Sequence, residues 1–130
     1  MQKFGRLYTW EAAKAACRSI GMRLPSREEW QALVDYAGGD NVAGKKLKST
    51  SGWRKDGNGT DDFGFSALPG GSRYSGGGFS SAGGSGYWWT ATEGGDDNAY
   101  HRSMGNDYGN VYEKYYDKDY GDSVRCVENK

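Results

Sequence analysis

Residues 9–30 read "TWEAAKAACRSIGMRLPSREEW", two helix starts within one short stretch. Thr9 is an N-cap candidate with Glu11 in the first turn. Trp10, Ala13, Cys17 and Ile20 then recur at i, i+3, i+7 and i+10, a single apolar stripe that Gly21 stops. The second start is stronger. Ser26 and Glu29 form an S-x-x-E capping box, and Trp30, Leu33, Val34 and Ala37 make the stripe that Gly38 ends. Two short helices are expected in the N-terminal third, and the helical signal is confined there.

After Gly38 the texture changes. Between Gly70 and Gly86, 8 of 17 residues are Gly and five are Ser, the composition of a long loop. The loop also carries Arg73, Tyr74 and Phe79 and runs into a compact strand candidate, Tyr87 to Thr92 of "YWWTATE". "AYHRSM", "NVYEKYY" and "DSVRCVE" are further short strand candidates. A loop this long in a compact domain is functional or disordered, and the aromatic strands beside it argue that it is held.

The composition sets limits. A chain of 130 residues supports one domain, here taken as 1–130. Only 35% of it is hydrophobic, but aromatic residues reach 15% with five Trp. Each buried Trp or Tyr removes about 150–250 Å² from water, so the core is expected to be aromatic. Seventeen basic and seventeen acidic side chains cancel, which leaves no basic stripe for a nucleic acid. No apolar run approaches the roughly 20 residues of a membrane span, so membrane insertion is not expected, and the first ten residues hold no signal-peptide core. Cys17 and Cys126 lie near opposite ends, as two unrelated buried thiols or as a bridge. A bridge closing about a hundred residues is worth about 4.7 kcal/mol in the chain-entropy picture.

Residues 106–122, "NDYGNVYEKYYDKDYGD", hold five Tyr among Asp, Asn and Gly. Without a 3.6-residue stripe they are no helix; they read as a disordered tail, an aggregation-prone tract or a displayed contact surface.

Taken together, "WEAAKAACRSIGMRLPSREEW" resembles the opening of C-type lectin-like domains, in which a first helix carries a cysteine and a second helix follows. The segments "AGKKLKSTSGW", "GTDDFGFSALPGG", "GYWWTATE" and "SVRCVEN" resemble the bacterial branch known as the Fibrobacter succinogenes major paralogous domain, related in fold to formylglycine-generating enzymes. The resemblance runs from about Gly5 to Asn129. It implies an α+β, C-type lectin-like fold with two short N-terminal helices, a small antiparallel sheet and long Gly-rich loops. It also implies pairing of the helix cysteine, Cys17, with Cys126 in the final strand, and it puts the Tyr-rich stretch between core strands.

The tract from Asp96 to Asp122 further resembles the variable region of diversity-generating retroelement proteins, which share this fold. There adenine-directed mutagenesis scatters Tyr, Asp, Asn, Ser and His around fixed positions. Codons ending in C at the mutated triplets encode no Met, Trp, Lys, Gln or Glu, so Met104, Glu113, Lys114 and Lys118 are expected to be scaffold. The alternative is a domain that favours these residues without mutagenesis.

Chemistry at a catalytic site is not expected. Formylglycine-generating oxidases place redox cysteines just after the tryptophan matching Trp88 or Trp89, and "WWTATEGGDD" has none. His101, the single histidine, has no nucleophile partner in sequence. Calcium-binding lectins use E-P-N or Q-P-D with W-N-D; "SALPGG" and "WWTATE" lack those oxygens, and Asp61 and Asp62 read as a solvated turn. Neither metal nor cofactor is expected.

Recognition is. Tyr offers rigid amphipathic contact while Ser, Gly and Asn supply adaptable hydrogen bonds. Strand alternation sends Met104 inward with Tyr100 and Arg102, and His101 and Ser103 outward; Val111 points in and Tyr112 out. Tyr87 and Tyr100 are assigned to the core. The expected ligand-binding set is Asp97, Asn98, His101, Ser103, Asn106, Asp107, Tyr108, Asn110, Tyr112, Tyr115, Tyr116, Asp117, Asp119 and Tyr120, with binding in this tract and not in the Gly-rich loop. The expectation is a ligand- or receptor-binding module at a cell or phage surface, outside the cytoplasm, taking a protein or glycan. The alternative is a non-diversified adhesin or structural module of the same family.

Overall fold

The computed structural model describes residues 6–129. Three helices and small antiparallel sheets make it α+β. Helix α1 spans Trp10–Ser19, and Thr9 caps it by accepting from the Ala12 amide at 3.3 Å. Helix α2 spans Arg27–Tyr36 with both halves of the capping box formed: Ser26 Oγ accepts from the Glu29 amide, and Glu29 Oε1 accepts from the Ser26 amide at 2.8 Å. Trp10, Ala13 and Cys17 are buried, but Ile20 is 64% exposed. Ile20 is the C-cap, and its non-helical backbone takes the side chain off the stripe. A third helix, α3 (Ala43–Leu47), falls in the "AGKKL" segment that carried no helical signal. It is one turn long and has no side-chain cap, so its burial against the rest of the fold holds it.

The central sheet has three strands in the order β4 (Ser85–Glu93), β5 (Asn98–Gly105) and β6 (Tyr112–Asp117). Two smaller pairs flank it: β1 (Met22–Arg23) with β7 (Val127–Glu128), and β2 (Ser72–Arg73) with β3 (Phe79–Ser80). The terminal segment "DSVRCVE" is thus a strand only at its end. Ser123 instead bridges Trp88 in parallel at the outer edge of β4.

The adjacent tryptophans of β4 divide the core. Trp88 joins Trp30, Val34, Leu47, Trp53, Met104 and Val111 in one cluster, and Trp89 joins Trp10, Ala13, Cys17, Leu24 and Ala99 in the other. Period-2 alternation sends neighbours to opposite faces, so one dipeptide seeds both. The second cluster is stapled: Cys17 and Cys126 are disulfide-bonded with Cα atoms 5.5 Å apart.

The Gly-rich segment is held by backbone pairing. Arg73 and Gly121 exchange amide hydrogen bonds at 2.9 and 2.8 Å, so the β2–β3 hairpin is tied to the end of the Tyr-rich tract. Gly71 allows the hairpin to close: its φ is +70°, and a Cβ there would sit 2.2 Å from the Ser80 carbonyl oxygen.

Candidate functional site

The register across β4, β5 and β6 sorts the site residues. Trp88, Arg102 and Glu113 are cross-strand neighbours, as are Tyr87, Ser103 and Tyr112, and Trp89, His101 and Lys114. The first row faces α2. Arg102 is 1% exposed and donates to Gln31 Oε1 at 2.7 Å; Arg27 grips Glu113 with two hydrogen bonds of 2.8 and 2.9 Å and lies over the Tyr100 ring. Those bonds from Arg27 hold the Glu113 carboxyl below the usual carboxylate range, while burial lowers the Arg102 guanidinium.

On the opposite face Trp89 is buried in the second core cluster, while Tyr87, Ser103, Tyr112, His101 and Lys114 face a cleft of about 400 Å³. Its floor is Tyr87, His101 and Ser103, one wall is Tyr112, Lys114 and Tyr116, and Tyr108 closes one side. The opposite wall comes from the Gly-rich segment: Ser72, Tyr74, Ser80 and Ser81. Sequence reasoning left this wall out. Only the tyrosine and serines inside the Gly run signalled it, and the pairing with Gly121 that swings the loop over the sheet is non-local.

His101 and Ser103 do not point outward to solvent. They are 2% and 7% exposed. The alternation argument supposes a sheet with one wet face, and here the hairpin and the chain near Asp122 cover that face too. His101 Nδ1 stands 2.7 Å from Asp122 Oδ2, and its ring stacks on Tyr116 with centroids 5.1 Å apart. Burial raises the pKa of Asp122, with the His101 hydrogen bond working the other way. Tyr87 and Tyr100 are only half-buried; the Tyr87 side chain lines the cleft.

The remaining expected residues do not converge on one place. Tyr115 lies on the other side of β6, edge-on to Tyr100 and 61% exposed. Asp97, Asn98, Asp117 and Asp119 sit at the β4–β5 turn end, whereas Asn106, Asp107, Tyr108 and Asn110 belong to the loop beyond Gly105. The eight residues of β5 separate these groups by about 24 Å at about 3.4 Å per residue, so no small ligand touches both. At the turn end, Asp117 Oδ1 accepts from the Asp119 amide at 2.9 Å and Lys118 pairs with Glu93 at 2.5 Å. Tyr120 packs edge-on to Tyr116 and Tyr74, buttressing the cleft from behind.

The loop after β5 is fixed from beneath. Lys48, 2% exposed, donates to the carbonyls of Gly105 and Tyr108 at 2.6 and 2.8 Å. Burial lowers its pKa. Asn106 and Asn110 are half-buried; Asn110 Nδ2 donates to Asn41 Oδ1 at 3.1 Å and Asn106 Nδ2 to the Arg54 carbonyl at 3.4 Å. Asp107 is exposed.

Asp61 closes a turn, accepting from the Ser66 amide at 2.7 Å and from its hydroxyl at 2.5 Å. Among the described residues no group of three or more His, Cys, Asp or Glu could hold a metal ion, and no helix is long and apolar enough to cross a membrane.

No curated protein and no solved structure matches the chain. A family does: residues 1–128 match the Fibrobacter succinogenes major domain. The chain belongs to the Fibrobacter succinogenes major domain family.

Proposed function

We propose that this chain is one C-type lectin-like domain that works as a ligand- or receptor-binding module, with its recognition surface in the Tyr-rich tract and the cleft beside it. The observation that carries the reading is the placement of Tyr112 and Tyr116, 45% and 40% exposed, at the lip of a preformed cleft. Rigid aromatic anchors beside small polar groups are the composition in which a few residues supply most of a binding energy. The Cys17–Cys126 bond supports an oxidising setting outside the cytoplasm, at a cell or phage surface.

Diversification by a retroelement is the favoured origin of the tract. Of the four residues excluded from C-ending mutated codons, Met104 is buried, Glu113 is gripped by Arg27, and Lys118 pairs with Glu93, as scaffold positions should be, whereas Lys114 is exposed and lines the cleft, against that expectation. The buried His101–Asp122 pair favours the second reading, a non-diversified adhesin or structural module, because randomising His101 would orphan a buried carboxylate. The gene decides between them: a near-identical template repeat beside a reverse transcriptase, differing only at adenines, is expected for the first. Binding itself is tested by attaching labelled protein to a panel of intact cells with and without a chelator. Saturable, chelator-resistant attachment is expected; its absence from every surface tried contradicts the reading.

A further inference from the structure

The lining of the cleft has an unusual chemical balance. Four serines (Ser72, Ser80, Ser81 and Ser103) and five tyrosines bring nine hydroxyls to a space of about 400 Å³. Lys114 is the only lysine or arginine in it, and no carboxylate lines it. The Lys114 ammonium is in none of the ion pairs among the described residues, and Tyr74, Tyr112 and Tyr116 are exposed.

Each hydroxyl both donates and accepts, so a wall of hydroxyls suits a ligand whose own groups do the same. The tyrosine rings add flat apolar faces between those groups. A purely apolar ligand would strip water from the hydroxyls without replacing their hydrogen bonds. A cationic ligand could use the rings but would meet Lys114 with no carboxylate to offset it. A polyhydroxylated ring bearing one negative group satisfies every feature, and the volume admits a ring or two.

Resting on the reading of the chain as a binding module, we propose that the cleft binds an acidic sugar, with Lys114 pairing its anionic group and Tyr112 and Tyr116 lying against its ring. Carboxylate, phosphate and sulfate all supply that charge. The test titrates glucuronate, glucose 6-phosphate, glucose 6-sulfate, glucose and choline into the protein while following the amide resonances of residues 101–116. At least one acidic sugar should bind about tenfold or more tighter than glucose, shifting His101 and Lys114, and the strongest of the three identifies the anion. Lys114→Met should abolish that preference while leaving the urea midpoint unchanged. The proposal is overturned if no acidic sugar exceeds glucose, if choline binds tightest, or if Lys114→Met keeps the preference. Loss of the preference together with a lowered midpoint is resolved by Lys114→Arg, which must restore both or the proposal falls. Failure here with attachment to cells still sensitive to Tyr112→Ala sinks the sugar proposal alone; attachment that ignores the cleft tyrosines sinks the binding reading itself.

Discussion

His101 Nδ1 lies 2.7 Å from Asp122 Oδ2, and the two side chains are buried together, tying the middle of β5 to the last crossing of the chain. Removing one partner leaves the other uncompensated. His101→Ala should therefore cost about 1–3 kcal/mol in urea unfolding, more than a surface change. A loss within about 0.5 kcal/mol would mean that water or another group solvates Asp122.

The aromatic core and the exposed tract should respond oppositely to truncation. Trp30→Ala and Trp89→Ala, each removing a side chain at most 2% exposed, should cost about 3–5 kcal/mol. Asp107→Ala and Tyr112→Ala should stay within about 0.5 kcal/mol. Denaturation midpoints of the four variants check this, and equal losses in both groups would make the tract structural.

Acid should weaken the fold partly through Glu29. Its carboxyl is held at about 2, first by the hydrogen bonds of Arg23 and then by the Ser26 amide. A depressed folded-state pKa stabilises above the ordinary carboxylate value, and that contribution is lost as pH falls from about 4.5 toward 2. Glu113 acts in the same direction. Glu29→Gln should thus be less stable than the parent at pH 6 and lose less between pH 5 and 2.5. Parallel pH profiles for the two proteins would contradict this.

Gly44 offers a test of how the loop after β5 is seated. A Cβ there would lie 2.7 Å from the Asn110 carbonyl oxygen and 2.8 Å from that of Gly109. Alanine is the better helix former by about 1 kcal/mol, so propensity alone favours Gly44→Ala. Backbone cannot yield as a flexible side chain can, and the variant should instead lose about 1–3 kcal/mol and disturb the amide resonances of residues 105–110. A stabilised variant would show that α3 and this loop do not pack as closely as described.

These contrasts mark what the sequence made legible. Local rules carried α1 and α2, because Thr9, Ser26 and Glu29 act within one turn of themselves. The Tyr87–Thr92 strand followed from its aromatic and β-branched composition, the inward Met104 and Val111 from alternation, and the disulfide from family resemblance. Helix α3 was not legible: its burial comes from residues far along the chain, such as Gly109, whose carbonyl accepts from the Gly44 amide. The burial of His101 was hidden for the same reason, since its cover is assembled from Asp122, Tyr116 and a hairpin pinned by Gly121. The cleft mixes both cases. Its tyrosines were visible as a composition, but the split between Tyr115 and its neighbour Tyr116 depends on what covers each face of β6.

That split provides the most direct test of recognition by the cleft. Tyr112, Tyr115 and Tyr116 are all exposed on one strand, but only Tyr112 and Tyr116 line the cleft. Single alanine variants of the three should be compared for attachment to whichever cell surface binds the parent protein, with chelator present throughout. Tyr112→Ala or Tyr116→Ala should weaken binding by about 2 kcal/mol or more, roughly thirtyfold, and Tyr115→Ala should leave it within about twofold. Equal losses at all three, or a loss at Tyr115 alone, would contradict recognition by the cleft.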